Sequence, residues 1–222
     1  KHKYHMLPLV NTYSQQDFIH FDNRIKKALG DNYEYVCELK FDGLSMSLTY
    51  ENGKLARAVT RGDGTKGDDV TTNIKTVKTI PHKLKGEGFP AEFEIRGEVF
   101  MHKAAFDKLN AEREENGEQP FANPRNFASG TMKMQDSAEV AKRPLDCFLY
   151  FLYGDNLPYK THWESLQAVK SWGFKVSEHV KLCKNINEVL DFIHRFEEER
   201  FKLSFDIDGI VIKVNSYAQQ QE

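Results

Sequence analysis

Apolar positions along this chain switch between two spacings, and each switch marks a change of element. Phe18, Phe21, Ile25 and Leu29 recur at helical spacing. Ser14 precedes them as a good N-cap, Asp17 sits in the first turn and Gly30 stops the run, which predicts a helix over 14–29. The residues before it, through Leu7-Pro8-Leu9-Val10, read as an extended segment. Strands are predicted over Tyr33–Leu39, Leu44–Tyr50 and Leu55–Thr60, the last two joined at Asn52-Gly53 by a type I′ hairpin.

A loop rich in glycine and aspartate runs from Arg61 to Asp69 and leads into a short helix near Val70–Val77. Ala91–Phe100 alternates through Phe93, Ile95 and Val99 and is predicted as a strand, followed by a helix over Lys103–Glu115. Asn123 to Gly130 reads as a loop opening into a short helix. Leu145–Tyr153 and Ile207–Val214 are apolar strands, with helices at His162–Trp172 and Ile186–Phe201 between them. Strands joined by hairpins with helices appended predict an α+β fold of antiparallel sheets with flanking helices. No tandem βαβ units are evident, and no repeat, low-complexity tract or linker divides the chain, so a single domain over residues 1–222 is expected.

Lysine and arginine number 31 against 33 aspartates and glutamates, a formal net charge of −2. That balance argues against gripping nucleic acid by bulk charge, although local basic patches such as Arg24, Lys26 and Lys27 remain. No apolar run approaches the roughly 20 residues needed to span a bilayer and no signal peptide opens the chain, so no membrane association is expected. Cys37, Cys147 and Cys183 form no CxxC pair and no zinc set, which fits reduced thiols in a cytosolic protein. Cys37 and Cys147 lie in apolar runs and are expected as small core residues.

The sharpest chemical feature is Cys37-Glu38-Leu39-Lys40-Phe41-Asp42-Gly43. Alternation puts Glu38, Lys40 and Asp42 on one strand face, and three charges on an otherwise apolar strand are costly unless they face a polar cleft. The bland alternative is an ion-pair ladder on an exposed face. A lysine attacks only as the neutral amine, and with an ordinary pKa roughly one in a few thousand is neutral at pH 7. Burial or neighbouring cations raise that fraction, and Arg61, Lys133 and Lys213 are the cations available.

Four further features are weaker singly. Glycines in the loop from Arg61 let backbone approach a ligand, with Arg61 and Lys66 able to meet phosphate. Glu98, in Glu94-Ile95-Arg96-Gly97-Glu98, can accept hydrogen bonds from ribose hydroxyls, or simply belong to a solvated strand face. Arg125 and Lys133 flank a short helix, and Asp208 and Lys213 are charges inside an apolar strand.

Taken together these segments resemble one family. Lys40-Phe41-Asp42-Gly43 is similar to the KxDG motif of covalent nucleotidyltransferases, which include DNA ligases and messenger-RNA capping enzymes. The flanking Cys-Glu-Leu, Thr60 to Gly64, Glu94 to Glu98, Phe121 to Asn126, and Asp208 to Lys213 resemble, in order, the adenylation domain of NAD-dependent bacterial DNA ligases.

The resemblance implies a covalent nucleotidyltransferase (ATP-grasp-like) fold and a three-step reaction. Lys40 would take AMP from NAD, pass it to the 5′-phosphate of nicked duplex DNA, and the 3′-hydroxyl would then displace it. Lys40 and Asp42 would be catalytic, and Pro8, Leu9, Glu38, Arg61, Glu98, Asp208 and Lys213 would bind the nucleotide. Within that set Glu38 meets the adenine amino group, Leu9 lines its pocket and Glu98 takes the ribose. Arg125 and Lys133 would contact phosphate or DNA. Magnesium would assist as a Lewis acid held largely through water. Zinc is implied only for a region downstream of this chain.

Two departures stand out. Pro8 occupies a position where the family usually carries serine, so a contact needing a hydroxyl or backbone N–H is lost. Lys133 stands where many members carry arginine, a point charge in place of a bidentate fork. Nothing here resembles the family's nicotinamide-recognising segment, its last lysine motif, or its OB-fold, zinc and helix-hairpin-helix regions. The chain is therefore expected to be a fragment, a monomer, cytoplasmic, able to bind adenosine-type ligands, and inactive or weakly active with NAD by itself. Two other readings stay open: a non-catalytic adenine-nucleotide-binding module, and an ATP-dependent nucleotidyltransferase.

Overall fold

A computed structural model describes the backbone of residues 4–8, 15–61 and 67–221, and the side chains of 16–61 and 67–221. In chain order the elements are β1 (Tyr4–Pro8), α1 (Gln15–Leu29), β2 (Tyr35–Phe41), β3 (Leu44–Glu51), β4 (Lys54–Thr60), α2 (Thr71–Ile74), β5 (Glu92–Met101), α3 (Lys103–Glu115) and α4 (Pro124–Met132). There follow α5 (Ser137–Ala141), β6 (Leu145–Tyr153), α6 (His162–Ser171), β7 (Lys181–Cys183), α7 (Ile186–Glu199), a 3-10 turn at Arg200–Lys202, β8 (Ile207–Val214) and α8 (Tyr217–Gln220). The strands form two four-stranded antiparallel sheets, ordered β1-β8-β2-β7 and β4-β3-β5-β6. The α+β class with antiparallel sheets and flanking helices is as the sequence pattern predicts.

Each sheet buries one face under helices. In the first sheet Tyr35, Cys37 and Leu39 of β2 and Ile210, Ile212 and Val214 of β8 pack with Phe18 of α1 and Val189, Phe192 and Phe196 of α7. In the second, Met46, Leu48 and Tyr50 of β3, Phe93, Ile95 and Val99 of β5, and Cys147 and Leu149 of β6 pack with Ile74, Phe106, Phe127, Val140 and Val169 from the helices. The opposite faces carry the charged residues of both sheets. Phe41, Phe100, Phe148 and Phe205 join the sheets at one end, with ring centroids 4.8–6.2 Å apart. All three cysteines are free and buried, Cys37 and Cys147 in the core as expected.

Several predicted boundaries move. β2 starts at Tyr35 rather than Tyr33, and the hydroxyls of both tyrosines donate to Asp22 of α1 at 2.6 Å. The same strand runs on through Lys40 to Phe41, with a bulge between them, and Asp42 falls beyond its end. The helix expected over 70–77 is the single turn Thr71–Ile74. The Asn123 carboxamide caps α4 by accepting the Asn126 N–H at 2.7 Å. Asn52 and Gly53 adopt φ of 51° and 77°, as a type I′ turn requires. The expected cap at Ser14, Leu9 and the loop residues 62–66 lie outside the described residues.

Candidate active site

The chain passes from one sheet to the other at Asp42-Gly43, the two residues between β2 and β3. Asp42 is anchored at this crossing by its N–H, which donates to the Asp206 carbonyl at 3.1 Å. A Cβ on Gly43 would lie 2.3 Å from the Val99 carbonyl oxygen, so no other residue fits without moving β5. Gly43 also donates its N–H to the Glu98 carboxyl, which accepts the Ser45 hydroxyl at 2.8 Å. The crossover thus places Lys40 on one sheet while fixing Glu98 on the other.

Glu38, Lys40, Asp208 and Lys213 share the face of the first sheet opposite α1 and α7. Lys40 pairs across β8 with Gly209, and its ammonium lies 3.7 Å from Asp208. Both side chains keep about 40% of their surface open, so the nucleophile candidate is reachable. Glu38 is 4% exposed and is not part of an exposed ladder. Its Oε2 receives the Lys213 ammonium at 3.1 Å and His162 Nε2 at 2.9 Å. Burial pushes this carboxyl up, but Lys213 and His162 outweigh it and hold it down at about 2.

A single asparagine assembles this cluster from three elements. Asn215, buried just past β8, donates its N–H to the Glu34 carbonyl ahead of β2. Its carbonyl accepts the His162 N–H at 2.9 Å, and its Oδ1 accepts that of Trp163 at 3.0 Å. The N-terminus of α6 is thereby pinned beside Lys213. Burial, then Lys213, depress the His162 pKa, so the ring is neutral. An ionised carboxylate only accepts, so Nε2 carries the ring proton.

On the facing sheet, β5 and β6 lose register between Arg96 and Gly97. Gly97 pairs with Leu149 and Arg96 with Phe151, leaving Tyr150 as the extra residue of a bulge. A Cβ on Gly97 would come within 2.6 Å of the Phe148 carbonyl oxygen, which explains the glycine there. Phe151 reaches the Glu38 cluster, with Lys213 5.3 Å above its ring and the His162 ring 6.3 Å away. Tyr150 lies beside Glu98, Ser45 and Arg61; its hydroxyl is pushed well up by burial and then by Glu98. Arg61 enters this corner through its N–H, which donates to the Ser45 carbonyl at 3.0 Å.

Glu98, 8% exposed, behaves oppositely to Glu38. Burial raises its carboxyl to about 7, with Asp208 adding to the rise and Ser45, Gly43 and Arg125 opposing it. Asp42 is also raised, by burial and then Asp208, against the pull of Arg125 and Lys40. The structure therefore brings Lys40, Asp42, Glu98, Asp208 and Arg125 within electrostatic reach of one another, with Arg61 near Tyr150, and with Glu38 and Lys213 paired on the same sheet face as Lys40. Lys133 caps the far end of α4, about 12 Å along the axis from Arg125. Pro8 pairs with Gly209 at the backbone, which brings β1 alongside the strand that carries Asp208.

Three residues that matter here are absent from the sequence expectations: His162, Tyr150 and Phe151. Tyr150 and Phe151 sit in an apolar run whose alternation reverses at the bulge. Gly97 opposite was the available signal. His162 meets Glu38 from 124 positions away, and nothing local marks it as more than the first residue of a helix.

Comparison with known proteins agrees with this geometry. The family model described as NAD-dependent DNA ligase adenylation domain matches residues 1–222. The chain is 57% identical to a DNA ligase of Flavobacterium psychrophilum, over 100% of this chain and 33% of that protein. It is 56% identical to a DNA ligase of Cytophaga hutchinsonii, again over 100% and 33%, and 55% identical to one of Bacteroides fragilis, over 99% and 33%. The chain belongs to the NAD-dependent DNA ligase adenylation domain family. It spans about a third of the length of the curated relatives it matches.

Proposed function

We propose that the cleft between the two sheets is a covalent nucleotidyltransferase site that takes AMP from NAD onto Lys40. The observation that carries this reading is the placing of Lys40. It is a half-exposed lysine, held 3.7 Å from Asp208, at the lip of a cleft whose inner end is a charge-paired Glu38. In the reaction the neutral Lys40 amine attacks the α-phosphorus, the bond to the nicotinamide mononucleotide oxygen breaks, and that group leaves. Asp208 holds the ammonium beforehand and is the carboxylate placed to receive its proton. Positioning of this kind can supply about 7–11 kcal/mol of a barrier.

The two sheets divide recognition of the adenosine. Glu38, kept ionised, offers an acceptor to the adenine amino group, and Lys213 keeps it ionised. Glu98 faces the ribose hydroxyls, Tyr150 and Phe151 supply aromatic walls for a flat base, and Arg61 and Arg125 answer phosphate charge. Among the described residues no three His, Cys, Asp or Glu side chains form a metal cage. When bound, magnesium would supply positive charge to the phosphates as a Lewis acid. The AMP then passes to the 5′-phosphate of nicked DNA in the whole protein, where the 3′-hydroxyl displaces it.

The test is intact-mass and peptide mapping of the whole protein after incubation with NAD or with ATP, followed by nicked duplex. We expect one AMP on the Lys40 peptide from NAD, none from ATP, and its loss on adding the nick. Labelling from ATP alone would make this an ATP-dependent nucleotidyltransferase. Binding of NAD without labelling would reduce the site to a nucleotide-binding module.

A further inference from the structure

His162 is buried to 1% of its side chain, yet it lies at the first turn of a helix, where a histidine is not needed for capping: Thr161 already accepts the Glu164 N–H at 3.1 Å. Its place in the structure is set by Glu38. Both the imidazole and the Lys213 ammonium contact the same carboxylate oxygen, Oε2, at 2.9 and 3.1 Å. Both partners thus converge on this one oxygen. The two partners differ in kind. Lys213 brings charge through a rotatable ammonium that fits many carboxylate orientations. The imidazole N–H points in one direction, from a ring fixed by the Asn215 clamp on its helix and by the Phe151 ring beside it.

We infer that His162 is a positioning residue for base selection, holding the Glu38 carboxylate so that Oε1 is presented to an exocyclic amino group. The inference rests on the cleft being an adenylate site. With His162 in place, Oε2 is committed and Lys213 cannot chelate both oxygens; without it, the carboxylate is free to turn and give both oxygens to the ammonium. His162 Nε2 and Lys213 Nζ, 3.4 Å apart, are both donors, so neither can substitute for Glu38 as the other's partner. The specificity consequence follows from hydrogen-bond polarity. Adenine presents N–H donors at its 6-position, whereas hypoxanthine presents a carbonyl oxygen that an ionised carboxylate repels. A fixed acceptor discriminates between them and a wandering one does so less.

Two amide replacements separate this from a packing role. In His162→Gln the amide nitrogen reaches roughly as far as Nε2; in His162→Asn it falls short of Glu38. Each is made in the whole protein, and transfer of AMP from NAD is compared with transfer of IMP from nicotinamide hypoxanthine dinucleotide, as kcat/KM measured on the same preparation. The ratio between the two substrates cancels any loss of folded protein. We expect His162→Asn to cut the preference for NAD about tenfold, the discrimination of about one hydrogen bond, chiefly through KM for NAD. His162→Gln should restore most of it. In a Glu38→Gln background, His162→Asn should have no further effect on the ratio. A wild-type ratio in both His162 variants would overturn the inference and leave a packing residue. Failure of the wild-type protein to label Lys40 from NAD would instead overturn the reading of the site, and this inference with it.

Discussion

Glu38 and Glu98 sit on different sheets, and both are more than nine-tenths buried. Burial pushes both carboxyls toward the neutral form. Glu38 nonetheless ends at about 2 and Glu98 at about 7. The difference lies in what each strand face provides. Glu38 has a lysine and a histidine on one oxygen, whereas Glu98 has a hydroxyl, a backbone N–H and the nearby negative charge of Asp208. Dipoles reduce the cost of burying a carboxylate but do not cancel it; a full opposite charge does. One sheet thus presents an acceptor that is always ionised, and the other presents one poised between acceptor and donor near neutral pH.

Removing the exposed lysine beside Asp208 has the largest expected effect. Lys40→Ala should abolish gain of AMP from NAD, because the other amine of the site, Lys213, is buried and held against Glu38 at 3.1 Å. The Lys40 side chain is 41% exposed, so the melting temperature should move little. AMP found on another residue of this mutant would sink the assignment of the nucleophile, and the contrast of the two glutamates would lose its chemical meaning.

Breaking the charged side of the comparison comes next. Glu38→Ala leaves the Lys213 ammonium, only 9% exposed, without its closest carboxylate. Loss of one partner of a buried pair costs about 3–5 kcal/mol, which for a domain of this size is a fall in Tm of roughly 10 °C. A calorimetric melt decides it. A change under about 1 kcal/mol would mean that the pair is solvated. The crossover supplies a third, more local case. Gly43→Ala puts a Cβ 2.3 Å from the Val99 carbonyl oxygen, and we expect about 1–3 kcal/mol of destabilisation together with slower adenylation. Unchanged adenylation would show that Lys40 and Glu98 need no fixed spacing.

The unequal visibility of these residues in the sequence has a physical basis. Strands Leu145–Tyr153 and Ile207–Val214 and helix Lys103–Glu115 were legible to the residue, because long periodic segments with clear edges outweigh local exceptions. Glu38, Lys40, Glu98, Asp208 and Lys213 were legible as charges set into apolar strands, and they do converge. What was not legible depends on pairing. β7 has three residues and exists because β2 offers it an edge. Tyr150 and Phe151 enter the cleft through a shift of register between two strands. His162 meets Glu38 through an asparagine that ties α6 to β8. Lys133 stands at the C-cap of α4, about 12 Å along the helix axis from Arg125.

The smallest effect tests the neutral side of the comparison and is a matter of pH. The Glu98 carboxyl ordinarily titrates near 4.5 and is raised to about 7 in the folded chain, so folding takes up a proton between those values. The favourable contribution of its neutral form is complete below about 4.5, declines as pH rises toward 7, and is gone above it. Above pH 7 the folded protein therefore carries an ionised, poorly compensated Glu98 at a cost of a few kcal/mol at most. Glu98→Gln has no proton to lose, and its amide oxygen can still accept from Gly43 or Ser45. We expect the stability of the variant relative to the parent to be greater at pH 8 than at pH 5, when urea unfolding is measured at both. Glu38, held at about 2, contributes only a small slope near pH 5, the same in both proteins, and it cancels in the difference. His162, with its depressed pKa, contributes a slope of the opposite sign in both proteins, and it cancels in the difference. Adenylation by the variant should drop while its fold is retained, since an amide is a weaker acceptor for ribose hydroxyls than a carboxylate. Parallel pH profiles for the two proteins would mean that Glu98 is ionised throughout, and that one hydroxyl and one backbone N–H suffice to offset its burial.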